Sequence, residues 1–265
     1  MISLRKNLQD GLPQIGICIM YPSAGVIERI GQDWDWIWLD GQHGQLGYGD
    51  LLNLVRACDL IQRPAFIRVP GHDFGTIGMA LDTGAAGIIV PCVDTAEQAR
   101  EIVNAAKFPP LGKRSYGGRR PIDRQGRGYY ETANEDVCLV VQIESPEAIE
   151  NVEAIAALPG VDALFLGPDD ISLRRGYDLT KPHSIASLGA DMEKVAAACK
   201  KFNKLGFIVA ANNEILRLSS ELGFRMLVTG GDVPFLANSS KQRSDESRNA
   251  LTSFSSEDNG GSSIY

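Results

Sequence analysis

The chain has 265 residues, 44% of them hydrophobic, and a net charge of -7, which suits one large domain or two small ones. Its Lys and Arg are scattered rather than massed, which argues against a nucleic-acid partner. No apolar run reaches the roughly 18 residues of a membrane span, and residues 1–7 lack the apolar core of a signal peptide.

A first strand is predicted over 15–20, with a helix after it to residue 30. A second strand over 36–39 runs into Asp40-Gly41-Gln42-His43-Gly44, where an apolar run turns titratable. Helical spacing of Leu51, Leu54, Val55 and Cys58 gives a helix over 51–61, and residues 65–69 form a third strand. A helix over 74–81, a strand over 87–93 and a helix over 95–107 follow, the last opened by a Thr95–Gln98 capping box. Residues 108–136 interrupt the rhythm with Gly, Arg and Pro. A loop of this length inside a compact domain is usually functional.

The fifth strand is 138–143, and Ser145-Pro146 opens a helix to 158. The sixth strand, 162–166, ends in Gly167-Pro-Asp-Asp-Ile-Ser172. A polar excursion then leads to a helix over 189–205. A seventh strand over 207–211, a helix over 212–222, an eighth strand over 225–229 and a helix from about 233 complete the domain, set at 1–238. Residues 239–265 are rich in Ser, Asn, Asp and Gly and are expected to be disordered. Alternation of short apolar strands with helices predicts a parallel (β/α)8 TIM barrel. A doubly wound open sheet is the second choice, weakened because no GxGxxG follows the first strand.

In a barrel the C-terminal strand ends share one mouth. Asp40, His43, Arg68, Gln142, Glu144, Asp169, Asp170, Asn212, Asn213 and Asp232 fall there. Glu144 and Asp170, on adjacent strands without Cys or His beside them, suit a hard divalent cation such as Mg2+. The competing reading is that each caps the helix that follows, although Ser145 already does so after Glu144. Arg68, within an apolar run, wants an anion: a ligand carboxylate, or a structural ion pair with Asp40 or Asp82. His43 beside such a site is a competent proton carrier near neutral pH. His72 and His183 read as solvated loop residues. Lys107 and Lys113 are off the strand tips, where a buried nucleophile would be expected. The five cysteines are odd in number, far apart and without zinc spacing. They read as reduced thiols of a cytoplasmic protein.

Four stretches carry a resemblance: Asp40-Gly-Gln-His-Gly44, Leu81-Asp-Thr-Gly-Ala85, Val141-Gln-Ile-Glu-Ser145 and Gly167-Pro-Asp-Asp-Ile-Ser172, with weaker support from Pro109-Pro-Leu-Gly-Lys-Arg114. Over about 14–236 the chain resembles the HpcH/HpaI aldolases, metal-dependent enzymes of pyruvate that include macrophomate synthase-like proteins. The resemblance implies a TIM barrel in which Glu144 and Asp170 hold Mg2+, Mn2+ or Co2+. It implies that His43, paired with Asp40, is the catalytic histidine and that Arg68 grips the pyruvate carboxylate and enolate. Gln142, Gly167 and Asp169 match substrate-binding positions, and Asp82 matches an acid linked to the His–Asp pair. It further implies a homo-hexamer, a trimer of dimers with exchanged C-terminal helices. The reaction implied is cleavage of a 4-hydroxy-2-oxo acid to pyruvate and an aldehyde through a metal-stabilised enolate. His43 would take the 4-hydroxyl proton, and the metal would replace a Schiff-base lysine.

The chain departs from this pattern at three places. Gln42 stands where many members have Glu, Cys18 where some have Trp, and Arg114-Ser-Tyr-Gly117 where many have Arg-Gly-x-Gly. Gly117-Gly-Arg-Arg120 and Tyr129-Tyr130 read as a subfamily loop suited to an anionic or aromatic acceptor. Two alternatives stay open: a lyase that makes the same enolate from oxaloacetate, and a barrel that binds 2-oxo acids without turnover. An acyl-CoA lyase of the citrate-lyase type fits less well, since no CoA-binding insertion is evident.

Overall fold

The computed structural model describes residue 8 and residues 11–258. Eight short strands close into a parallel barrel in chain order. They are β1 Gln14–Ile19, β2 Trp36–Asp40, β3 Ala65–Arg68, β4 Gly87–Val90, β5 Cys138–Ile143, β6 Ala163–Leu166, β7 Leu205–Val209 and β8 Met226–Gly231. Between them run α1 Ala24–Ile30, α2 Tyr48–Leu60, α3 Phe74–Asp82, α4 Ala96–Ala106, α5 Arg119–Gln125, α6 Tyr130–Asp136, α7 Pro146–Glu150, α8 Val152–Ala156, α9 Pro168–Arg174, α10 Ile185–Lys201 and α11 Asn213–Leu222. The helix α12 Asp232–Asp258 follows β8. This is the predicted TIM barrel, and no helix among the described residues is long and apolar enough to cross a membrane.

Strand parity decides what reaches the mouth, because successive side chains point to opposite faces. On β2, Trp36 and Trp38 belong to the barrel interior, while Ile37 and Leu39 belong to the layer under the helices. The same alternation puts Phe66 and Arg68, Val140 and Gln142, and Ala163 and Phe165 on inner faces. The lower interior is aromatic: Phe165 and Phe207 stack at 3.9 Å, and Trp38 meets both edge-on. Above this plug, the polar side chains two residues further along β2, β3 and β5, namely Asp40, Arg68 and Gln142, face the open end. The closing seam, between β8 and β1, is tied by buried Asp232, whose carboxylate accepts the N–H groups of Met20 and Tyr21.

Several expectations shift. The helix expected over 146–158 breaks at Asn151, whose ψ of 1° takes it out of helical geometry. The helix expected from 189 starts at Ile185, with Ser184 and Ser187 forming its capping box. Most of the tail expected to be disordered continues α12 to Asp258. No Gly or Pro interrupts residues 235–258, and ion pairs such as Lys241–Asp245 at i,i+4 support a helix that is polar on every side. Residues 259–265 lie outside the described residues.

The excursion 108–136 joins α4 to β5, so it lies at the N-terminal end of the barrel. Its Gly117–Arg120 and Tyr129-Tyr130 stretches therefore sit away from this chain's own mouth, against the expectation that they receive an acceptor. They are held there internally: Tyr129 donates to the Gly117 carbonyl, and Arg120 and Arg124 both pair with Asp59. Lys107 also belongs to this end, as its reading as a non-nucleophile requires. It is 1% exposed, and its Nζ donates to Asp162 at 2.7 Å and to the carbonyls of Val137 and Asn134. Removing the lysine from such a buried pair takes away the ammonium that offsets the Asp162 charge. Lys107→Met is accordingly expected to cost about 3–5 kcal/mol of stability, measured by denaturant unfolding.

Candidate active site at the barrel mouth

The β2 tip is built by a tight turn. Gly44 donates to the Asp40 carbonyl at 3.1 Å, and a side chain at Gly44 would collide with that same oxygen. The turn places Asp40 and His43 differently from expectation. Asp40 is 1% exposed, and its carboxylate accepts Nε and Nη2 of Arg68 at 2.9 and 2.6 Å. It also accepts the backbone N–H groups of Gln42 and His43. Asp40 thus meets His43 through the main chain and not through the imidazole, which is exposed at the rim. Burial works to raise the Asp40 carboxyl, but Arg68 and the two N–H donors outweigh it and hold it below the usual carboxylate range.

Of the two readings of Arg68, the ion pair with Asp40 is present, and it does not exhaust the guanidinium. Nε and Nη2 are committed to Asp40, which leaves Nη1 without a hydrogen-bond partner among the described residues. The guanidinium also lies over the Trp38 ring at 4.6 Å, which fixes its plane. An oriented, 8% exposed guanidinium with a spare donor can take a ligand oxygen.

Across the mouth, Glu144 is 2% exposed. Its Oε1 accepts Cys92 N–H at 2.6 Å and its Oε2 accepts Gln142 Nε2 at 2.6 Å. Burial raises its carboxyl above the usual value. The Cys92 donors lower it, and the Asp170 charge raises it further. Asp170 stands half-buried in the first turn of α9, on the neighbouring strand's loop. A side chain at Gly167 would meet Gln142 Nε2 at 2.8 Å and the Glu144 carboxylate at 2.9 Å, so a residue without Cβ lets those two side chains pack closely against it. Gln142 Oε1 is buried with no partner. Two carboxylates that repel each other beside an orphaned amide oxygen form an all-oxygen set, which fits a hard divalent cation. Among the described residues no three of His, Cys, Asp and Glu converge on one point. Such a cation would take its remaining positions from water or substrate, as Mg2+ commonly does.

The remaining expected residues separate. Asp169 points outward, 77% exposed, and its Oδ1 lies 2.7 Å from His183 Nε2. Asp82 ends α3 and lies at the opposite end of the barrel, so it does not join Asp40 and His43 within this chain. It faces Arg114 Nη2 at 3.4 Å, and burial raises its carboxyl against the pull of that arginine.

Both histidines read as solvated are engaged: His183 with Asp169, and His72 through Nε2 to the Pro91 carbonyl at 2.6 Å. The topology could have located them, since every segment that follows a strand lies on the mouth side and both follow β3 or β6. Residue type alone carried no such information.

The family model for HpcH/HpaI aldolase/citrate lyase matches residues 24–236. The 4-hydroxy-2-oxovalerate aldolase of Novosphingobium aromaticivorans is 41% identical over 177 residues, 66% of this chain and 68% of its own. The hydroxypyruvate/pyruvate aldolase of Agrobacterium fabrum is 34% identical over 88% of this chain and 89% of its own. Among solved structures, macrophomate synthase superposes with a TM-score of 0.84 at 28% identity, over 95% of this chain and 91% of its own.

Proposed function

The chain belongs to the HpcH/HpaI aldolase/citrate lyase family, and on that premise we infer that it is an aldolase, a carbon–carbon lyase that cleaves a 4-hydroxy-2-oxo acid to pyruvate and an aldehyde. The observation that supports this most is the meeting of buried Glu144 and Gln142, packed against Gly167, on one side of the mouth, with the spare edge of Arg68 on the other. Glu144 and Asp170 are the residues proposed to hold a divalent cation, Mg2+ first, with Mn2+ or Co2+ as substitutes. When bound, the cation supplies fixed positive charge for the oxygen on which the enolate develops.

The chain's own residues account for the rest. Arg68 Nη1 receives the 2-oxo acid carboxylate, and the Asp40 fork keeps the guanidinium from turning away. Gln142, held by Glu144, presents its unpaired Oε1 to the substrate. Gly167 lets the substrate approach without a Cβ. His43 at the rim takes the 4-hydroxyl proton as the C3–C4 bond breaks and returns a proton to C3 of pyruvate. Asp169, exposed and paired with His183, is proposed to meet the aldehyde half. A hexamer and a cytoplasmic setting complete the proposal. The former rests on family resemblance and the latter on five free cysteines.

Without a cation, Glu144 and Asp170 repel each other, and Arg68, which offsets Glu144, is already paired with Asp40. Pyruvate binding is therefore expected to require the cation. The test is exchange of the pyruvate C3 protons in heavy water, followed by NMR with Mg2+ or Mn2+ and after chelation. Exchange that vanishes on chelation supports the reading; exchange unaffected by chelation overturns it.

A pH prediction follows from Glu144. A proton competes with the cation, and burial makes this carboxyl hold its proton at higher pH than the ordinary value of about 4.3. Cation affinity should thus begin to fall at a higher pH than for an unperturbed glutamate, and calorimetric titration at descending pH should show the loss with proton release.

A second reading keeps the same site and starts from oxaloacetate, losing CO2 to give the same enolate. Similarity to macrophomate synthase is what favours it. Pyruvate release from oxaloacetate with no aldehyde present would mark that activity.

A further inference from the structure

We propose that His72 is a positioning residue for Glu144, acting through the loop that follows β4. The inference rests on the reading of Glu144 as a cation ligand.

Three neighbouring strand tips are linked in series. His72 lies in the segment after β3, and its Nε2 donates to the Pro91 carbonyl at 2.6 Å. A carbonyl can only accept, so the ring carries its proton on Nε2. Pro91 precedes Cys92, which has a φ of 56° although it is not glycine. A left-handed non-glycine residue is disfavoured and persists only where its surroundings hold it. What that conformation achieves is visible one bond further on. It turns the Cys92 N–H onto Glu144 Oε1 at 2.6 Å. The relay therefore runs from the His72 ring, through a strained peptide, to the carboxylate.

A second tie limits how much His72 alone controls. Val93 N–H donates to the Gln142 carbonyl at 3.2 Å and pins the far side of the same loop to β5. Loss of the His72 bond should loosen the loop without releasing it. Groups that orient a metal ligand from behind typically contribute 10–100-fold in metal affinity. The second tie places the expected effect near the lower limit, at about tenfold.

Two variants of similar size separate the hydrogen bond from packing. His72→Gln keeps an N–H donor at the same reach, and His72→Met removes it. The measurement is Mn2+ affinity by isothermal titration on the full chain, with wild type and Glu144→Gln alongside and thermal unfolding of each variant. The inference expects His72→Met to bind Mn2+ about tenfold more weakly. It expects His72→Gln to recover most of that loss and both variants to unfold near the wild-type temperature. Equal Mn2+ affinity in His72→Met and wild type overturns it. So does an equal loss in His72→Gln and His72→Met, since the donor would then be irrelevant. If Glu144→Gln binds Mn2+ as tightly as wild type, the ligand assignment itself is wrong, and that outcome is distinct from a failure of His72.

Discussion

Glu144→Gln is expected to abolish cation-dependent exchange and cleavage while leaving the cation-free protein as stable as wild type or more so. The activity loss follows from removing one of only two carboxylates proposed to hold the cation. Removing a single group of this electrostatic kind commonly costs about 10²–10³ in rate, and loss of the cation itself should exceed that. The stability effect has the opposite direction. Burial raises the Glu144 carboxyl above its usual value, so the folded state binds this proton more tightly than the unfolded chain. Its contribution to stability is complete below the unfolded pKa and is lost as pH rises through the folded one. Wherever Glu144 is ionised, its buried charge is therefore a burden on the fold, and Gln removes it. The hydrogen bonds can adapt, because Gln142 Oε1 has no partner and can turn to accept from the new amide. Thermal unfolding in chelator, set beside the exchange assay, reads both effects. A variant that loses activity by unfolding would contradict this account.

Arg68→Met is expected to lose both activity and stability, and the two losses should be separable. Asp40 is buried and held below the usual carboxylate range chiefly by Arg68. Without the guanidinium, an unpaired charge remains inside the barrel, at a cost of about 3–5 kcal/mol. The sign is that of a depressed carboxyl: the stabilisation is present above the unfolded pKa and lost as pH falls through the folded one. Arg68→Met alone should thus be most destabilised at neutral pH and less so in acid. Adding Asp40→Asn removes the stranded charge. The double variant should regain most of the stability, to within about 1–2 kcal/mol of wild type, yet remain unable to exchange pyruvate protons. Recovery of both properties would make Arg68 purely structural. Denaturant titration and the exchange assay on the single and double variants decide between these results.

The barrel was legible because each strand is a short apolar run bounded by turn residues, with a helix-like segment after nearly every one. That pattern is local, and eight repetitions leave few ways to close a parallel sheet. Errors fell where long-range or weak local terms rule. Asn151 breaks a helix that spacing alone would continue. Residues 239–258, whose composition points to disorder, continue a helix that carries i,i+4 ion pairs.

The candidate site was legible in part for the same topological reason. Arg68, Gln142 and Glu144 stand at strand ends in sequence, and parity above an aromatic plug turns them to the mouth. What each side chain meets was not legible. The resemblance pairs Asp40 with His43, whereas its carboxylate serves Arg68, the ion pair that stands as one of two readings of that guanidinium, because a buried carboxylate takes the strongest donor in reach. Asp82 lay in a motif beside the others but at the end of a helix, which places it at the far rim. His72 and His183 looked idle because their partners, Pro91 and Asp169, are 19 and 14 residues away.

The sequence by itself determined the class of fold, the order of its elements and the acids and guanidinium that crown its strands, since these depend on periodicity and residue type. Only the tertiary structure decided the pairing of Asp40 with Arg68, the desolvation that raises Glu144 and the loop ties that aim it. Those depend on distance, burial and competition among donors, none of which has a signature along the chain until the barrel closes.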